Sequence, residues 1–389
     1  MRITRLTAAT VPLRSEIRNA SVSFAEMTGT IVRVETDLIR SGARLCGLGF
    51  GSIGRYAATA IVQERLAPRL LTAQPADYVD ASGMNIDPLR AWPILMRNEK
   101  PGGHGERSTA VGAVDMALWD LAAKRADLPL WRLLSDRFNG GESDRRVAVY
   151  AAGGYYCPGS SLDALRGEIA GYVAAGYRSV KLKIGGASLA DDLRRIDVAA
   201  VEAGGPAHVA VDANGRFDLP TAFAYAGALA PLGVRWLEEA GDPLDYALQA
   251  QLSAAFPDLA IATGENLFSQ AEVRNLTRHA GLNPARDTLQ MDPALSYGLA
   301  EYLRMLEELR AAGWSRRRCV PHGGHQFSLH LAAGLQLGGN EAYPGVFQPF
   351  GGFADGSQIV EGTVTLPDAP GIGIELKADL HRLFRDQLG

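Results

Sequence analysis

The chain has 389 residues, 47% of them hydrophobic and 21% charged, with a formal net charge of −4. That length suits two domains, or one large barrel carrying a smaller domain, and the composition is that of an ordinary soluble protein. Acids and bases are mixed along the chain, which argues against a nucleic-acid or membrane-surface partner. Three scattered cysteines (Cys46, Cys157 and Cys319) and an N-terminus without an apolar leader give the expectation of a cytoplasmic protein with reduced thiols.

From the N-terminus, alternation in "RITRLTAAT" and "TIVRVETD", followed by "LCGLGFGS", predicts three strands. Helical patterning follows at 57–71 and more strongly at 107–125, and a small α+β domain fits this block. The pattern changes near residue 146. "RVAVYAAGG" predicts a short strand. A helix follows with Leu162, Leu165, Ile169, Tyr172 and Val173 on one face, serines ahead of it and Gly176 at its end. Strand segments then recur in "VKLKIGG", "HVAVDANG", "VRWLEEAGD", "LAIATGEN", "TLQMDPA", "RCVPHGG" and "GGNEAYP". Eight such units joined by helices predict a (β/α) barrel. A doubly wound open sheet is the alternative, but no glycine-rich phosphate fingerprint follows the first strand. "GGHG" at 102–105 and "GIGIE" at 371–375 lack the strand-before, helix-after context of such a motif. Beyond residue 352, "SQIVEGTVTLP" predicts a hairpin turning at Glu361-Gly362, in a tail expected to pack back on the N-terminal domain. The expected division is a capping domain over 1–130, a barrel over 131–352 and a closing segment over 353–389.

"VKLKIGG" sets two lysines on the same side of a strand, because residues two apart point the same way. The strand-end residues explain them. Lys183, Asp212, Glu238, Glu265, Asp292 and His322 recur every 26 to 30 residues, and Glu341 follows 19 later. In a parallel barrel that period brings all seven to one rim, where barrel active sites lie. Three carboxylates on neighbouring strands, Asp212, Glu238 and Glu265, would repel one another without a cation between them. Oxygen-only ligands select a hard ion, and Mg²⁺ tolerates both partial hydration and a substrate carboxylate. Glu239 and Asp242, next to Glu238, leave open which acid of that segment binds metal. Asp292 and His322 end neighbouring strands, and a carboxylate on one imidazole nitrogen fixes the tautomer and raises the basicity of the other. His325 makes an H-x-x-H pair with His322, but the remaining histidines are dispersed and no zinc site is expected. Lys183, beside Lys181 and near a divalent cation, is expected to have a lowered pKa suited to a general base, with Lys181 charged and holding a substrate carboxylate. A lysine base beside Mg²⁺ removes a proton α to a carboxylate, with metal and ammonium meeting the charge that develops.

These motifs resemble those of the enolase superfamily, and within it the mandelate racemase-like subgroup. The carriers are the K-x-K of "VKLKIGG", the D-x-N of "VDANG", the acidic pair of "WLEEAGD", the Glu of "ATGEN", the Asp292–His322 pair and the Glu of "GGNEAYP". "AVDMALWDLAAKRADLPLWRLL" and "TVTLPDAPGIGIEL" resemble the family's capping helix and C-terminal closure. The resemblance implies an α+β capping domain over a (β/α)₇β barrel, Mg²⁺ on Asp212, Glu238 and Glu265, and a homo-oligomer. It also implies Lys183 as the base at C2, His322 as the acid that protonates a departing 3-hydroxyl, and substrate contacts from Lys181, Asn214 and a protonated Glu341. One departure is the stretch "EEAGDPLDYALQ", where the subgroup usually has proline directly after the acidic pair. A hydroxy diacid substrate needs a second set of donors, and Arg18, Asn19 and Lys100 stand in capping-domain segments that read as loops able to close over the barrel mouth. Racemisation of a 2-hydroxy acid by Lys183 and His322 is one alternative outcome, and dehydration of another acid sugar, differing mainly in what the capping loops accept, is a nearer one. A metal-stabilised barrel that binds without chemistry is the alternative from another class.

Overall fold

The computed structural model describes residues 1–389 apart from Arg14, Ile53 and Ser160. Strands β1 (Ile3–Pro12), β2 (Thr28–Arg40) and β3 (Ala43–Phe50) form an antiparallel sheet in that order. A 21-residue helix, Glu106–Ala126, lies across it and is buried over most of its length. Two glycines of "LCGLGFGS" permit that approach. A Cβ on Gly47 would stand 1.9 Å from the Ala117 carbonyl oxygen, and one on Gly49 would stand 2.2 Å from that of Ala113. Glycine in a strand marks such a close backbone contact.

The barrel follows from β4 (Arg146–Gly153), β5 (Val180–Lys183), β6 (Val209–Asp212), β7 (Leu237–Glu238), β8 (Ile261–Thr263), β9 (Thr288–Leu289) and β10 (Asn340–Ala342). Strands β4 to β9 pair parallel in sequence, and β10 pairs parallel with β4, so that an irregular stave between β9 and β10 completes the ring. Helices alternate with the strands, and several begin on a residue whose side chain accepts an amide of the first turn: Ser161, Ser188, Asp218, Asp245 and Ser269. Such caps satisfy amides that the helix leaves unpaired. Of the serines expected ahead of the first of these helices, Ser161 is that cap and Ser160 lies outside the described residues.

Two expectations need correction. "RCVPHGG" forms no ladder strand. Cys319 makes a single bridge to Leu289, and the Val320 and His322 amides donate to the Leu289 and Gln290 carbonyls at 2.8 and 3.3 Å. The Glu341 amide donates to Pro321, which contributes no amide of its own, so this stave is held by isolated bonds. The hairpin of β11 (Ile359–Val360) and β12 (Thr363–Thr365), with Glu361 and Gly362 at positive φ, does not join the capping domain. Its second strand pairs antiparallel with the first half of β4. Only the chain beyond it reaches the cap: the Leu130 amide donates to the Gly371 carbonyl at 2.8 Å, Ile372 donates to Asp120, and helix Ala378–Leu388 lies against β1 and β2. Among the described residues no helix is long and apolar enough to cross a membrane.

Candidate active site

Ladder register places the charged side chains side by side. Lys183 is the register partner of Asp212, and Asp212 that of Glu238. Val180 and Leu182 point outward into the main core, so Lys181 and Lys183 point into the barrel. The two lysines occupy different depths. Lys183 lines a cavity of about 260 Å³ between barrel and capping domain, together with Asn214, Glu239, Glu265, Asn266, His322 and Tyr343. Lys181 sits one level deeper and is fully buried. Its Nζ lies 2.5 Å from Glu238, 2.7 Å from Glu341 and 3.5 Å from Asp212. Lys181 is not among the residues that line the cavity, so in this structure its charge is held by protein carboxylates rather than presented to a ligand.

Asp212, Glu238 and Glu265 each offer an oxygen within 4.8 Å of the others, and all three are buried. Glu238 Oε2 accepts from Trp236 and Gln290, both at 2.9 Å, which orients the carboxylate. Glu265 Oε2 is buried without a hydrogen bond. Two lysine ammonium groups already contact this set, which shows that it favours positive charge. A buried carboxylate oxygen without a hydrogen bond, in an all-oxygen donor set, fits a hard divalent ion. Glu239, at positive φ, turns its carboxylate to Asn266 Nδ2 at 3.1 and 3.2 Å instead. The choice within the acidic segment, open in the sequence, falls by geometry on Glu238.

On the opposite wall, His322 Nδ1 lies 2.9 Å from Asp292 Oδ2. Its Nε2 faces Tyr343 Oη at 2.9 Å, Glu265 at 3.2 Å and Glu341 at 3.7 Å. His325 is the N-cap of helix Gln326–Gly334, its Nδ1 accepting from the Ser328 amide at 3.1 Å. Burial disfavours the His322 imidazolium, but Glu265, Glu341 and Asp292 outweigh it and raise the pKa to about 10. The expectation for Lys183 counts a divalent cation beside it, and the protein groups taken alone act in the opposite direction. Burial lowers its pKa, yet the Asp212 carboxylate, named partner of its ammonium, outweighs burial and the repulsion from Lys181, so the pKa is raised. Protein carboxylates outnumber the two lysines here, which is why the neighbouring lysine does not win. Glu341 is likewise held below the usual carboxylate range, burial being outweighed by Lys181, His322 and Lys183. Glu238 is raised to about 7 by burial and by Asp212.

Above the metal-type cluster, Asn19 lines the cavity, its Oδ1 tied to the Ser21 and Val22 amides at 2.9 and 2.7 Å. Asn214 lines it with a buried Oδ1 that has no partner, while its own carbonyl accepts from Ser21 Oγ at 2.9 Å across the domain boundary. Lys100 does not reach the cavity: it is exposed, and its carbonyl accepts from Arg107. Arg18 stacks on Tyr156, 5.6 Å from the ring, and is not a lining residue. Among the described residues, the capping-domain cation that lines the cavity is Arg55. Its segment, "GSIGRY", carries two glycines after a strand, a loop signal that the sequence reading passed over. Phe24, Met27, Phe50, Phe347 and Phe350 supply an apolar wall. Tyr155 and Tyr343 were missed as well. Each lies within two residues of a predicted strand end, at "AGGYY" and "NEAY", which is the only signal the sequence offers for them.

Comparison with known proteins agrees with this architecture. Residues 3–135 match the mandelate racemase/muconate lactonizing enzyme N-terminal domain, and residues 164–380 match the enolase C-terminal domain-like family. The chain belongs to the mandelate racemase/muconate lactonizing enzyme family of the enolase superfamily. It is 29% identical to L-talarate/galactarate dehydratase of Salmonella typhimurium, over 97% of this chain and 89% of that one. It is 31% identical to 3,6-anhydro-alpha-L-galactonate cycloisomerase of Streptomyces coelicolor, over 74% of each. L-Talarate dehydratase from Polaromonas sp. JS666, solved in complex with Mg and L-glucarate, superposes with a TM-score of 0.76 at 29% identity, covering 97% of both chains. The fold is therefore the capped TIM-type barrel of that superfamily. The metal is Mg²⁺, bound in solved neighbours and suited to the buried acidic triad.

Proposed function

We propose that the protein is a Mg²⁺-dependent dehydratase that removes the proton α to a carboxylate and expels the β-hydroxyl, acting on D-tartrate to give oxaloacetate. The observation that carries this reading is that Lys183, His322 and Glu265 line one cavity, with Asp212, the buried carboxylate grouped with Glu265 and Glu238, in contact with Lys183. Asp212, Glu238 and Glu265 hold the metal in this reading. With Mg²⁺ held there, its charge would favour the neutral form of Lys183 and would offset negative charge on the substrate carboxylate. Lys183 takes the C2 proton. His322, kept upright by Asp292 and carrying its proton at Nε2, delivers it to the departing 3-hydroxyl. The products are water and the enol of oxaloacetate. Because base and acid stand on different walls, the elimination is anti. Asn214 Oδ1, buried without a donor, accepts from a substrate hydroxyl, and Lys181 and Glu341 fix the charge beneath the bound carboxylate. Arg55 and Asn19 receive the second carboxylate.

Support for a short diacid comes from the cavity, which at about 260 Å³ is smaller than the roughly 300–1,000 Å³ of drug-sized sites and is walled by phenylalanines that offer no partner for further hydroxyls. The segments "NEKPGGHGERS", "YAAGGYY", "ALSYGL" and "PHGGHQ" also resemble D-tartrate dehydratase. A second reading, dehydration of a longer acid sugar at the same site, is favoured by the relatives named for talarate and galactarate. The same reading divides the chain at 1–130, 131–352 and 353–389 and makes it a homo-oligomer. The test is a screen of diacid and acid-sugar stereoisomers for keto-acid formation that disappears on chelation and returns with Mg²⁺. Turnover of D-tartrate well above that of hexarates is expected. Preference for a hexarate moves the conclusion to the second reading, and inversion at C2 with deuterium uptake and no keto acid would make the protein a racemase.

A further inference from the structure

We infer that Arg195, anchored by Asp192, is a positioning residue for Lys183: its guanidinium ties together the ends of the two barrel strands that carry the Lys183–Tyr155 side of the site. This rests on Lys183 being the base. Lys183 is the last residue of β5. Its carbonyl accepts from Arg195 Nη1 at 2.7 Å, and Nη2 of the same guanidinium donates to the Gly154 carbonyl at 2.6 Å, just past the end of β4. Just beyond the last ladder pair, Gly153 with Leu182, the two strand ends are therefore bridged by a planar fork. Gly154, at φ 59°, is required for the approach, since a Cβ there would stand 2.0 Å from Leu182 Cδ1. The ring of Tyr155, the next residue, lies 5.2 Å from Lys183 Nζ across the cavity.

Arg195 is itself immobilised from three sides. Its Nη1 also donates to Asp192 Oδ1 at 2.9 Å, and its plane lies 4.2 Å from the centre of the Tyr156 ring. Asp192 is fully buried, and its two oxygens accept from Tyr156 Oη at 2.8 Å, Tyr225 Oη at 2.9 Å and the Gly185 amide at 2.7 Å. Gly185 lies two residues beyond Lys183, so the carboxylate fixes the chain on the far side of the base while Arg195 fixes its carbonyl. Only Arg presents two coplanar donors to two carbonyls at once, and Lys cannot replace it. Misplacing a catalytic group by about 1 Å costs on the order of 10²-fold in rate.

A cavity separate from the catalytic one, about 510 Å³, opens beside Arg195 and is also lined by Tyr156 and Glu168. It provides the test. Arg195→Ala should lower kcat by about 10²-fold with KM and Mg²⁺ affinity unchanged, because the triad is untouched. Millimolar methylguanidinium, entering through that cavity, should restore much of the lost kcat. Arg195→Lys should remain impaired in kcat, and it replaces the alanine variant if the latter fails to fold. Wild-type kcat in either variant, or a KM rise that parallels the kcat loss without rescue, would overturn the inference. If the wild-type protein turns over no hydroxy acid, the activity reading fails separately. The clamp is then judged by amide exchange at Gly185 and Gly186, which should accelerate in Arg195→Ala, and unchanged exchange there would refute it.

Discussion

The floor and the roof of the catalytic cavity are built on different physical terms. The floor is charge held in register: Lys183, Asp212 and Glu238 are lateral neighbours on β5, β6 and β7, and Lys181 is locked beneath them by Glu238 and Glu341. None of these side chains can move without breaking a buried ion pair, and removing one partner of such a pair leaves an uncompensated charge. The roof is loop and apolar surface. Phe24, Met27 and Phe50 come from the capping domain, with Arg55 and Asn19 as its polar contacts. A floor of this kind serves one chemistry for many substrates, while a roof of loops changes the substrate without disturbing the chemistry.

The largest break in that contrast comes from the floor. Lys183→Ala should reduce turnover by about 10³-fold or more and abolish exchange of the C2 hydrogen with deuterated solvent, measured by NMR. His322→Asn should cost elimination about 10²- to 10⁴-fold yet leave that exchange running, because the first proton transfer does not use the imidazole. Loss of exchange in both variants alike would refute the division of labour between the two walls. The roof should respond in KM. Arg55→Met is expected to raise KM for a diacid by about 10- to 100-fold, the worth of a hydrogen bond to a charged group, with kcat little changed; Lys100→Ala should leave both constants where they are. A KM response to Lys100 and none to Arg55 would restore the sequence-based choice.

The last effect is on stability rather than turnover, and concerns the joint between floor and roof. Asp115, on the capping helix, accepts from the Leu299 amide at 2.7 Å at the start of a barrel helix. Burial, opposed by the Leu299 and Ala300 amides, raises its pKa from 3.8 to about 8. An acid that prefers its proton in the fold contributes most below its unfolded pKa, and that contribution is lost as pH rises towards the folded value. Stability should therefore decline between about pH 4 and pH 8 by up to ~1.4 kcal/mol per unit from this group. Asp115→Asn should flatten that slope in denaturant titrations while leaving kcat unchanged.

The sequence disclosed the floor because barrel chemistry is periodic. A charged residue at every strand end, spaced by one βα unit, is legible without coordinates, and so was the capped barrel itself. The roof carries no period. Arg55 was missed and Lys100 chosen because both stand in glycine-rich loops, and only the folded cap shows which loop faces inward. The charge states of Lys183 and Glu341 were equally hidden, since they depend on how many carboxylates surround each group, which is a three-dimensional count. The seventh stave escaped for a smaller reason: Pro321 has no amide and the Gly323 amide goes to the Glu341 side chain, which leaves only isolated bonds, although the His322 side chain still arrives where a strand would bring it.

The path of the last residues sets how relatives can be recombined in the laboratory. Asp120 on the capping helix accepts from both Leu48 of the cap and Ile372 of the tail, and Lys124 pairs with Glu375, while β12 is zipped to the opening strand of the barrel. A chimera that exchanges only the N-terminal segment would therefore strand a foreign tail against it. The transplantable unit is discontinuous: the cap together with the stretch from Gly371 onward, grafted as one piece.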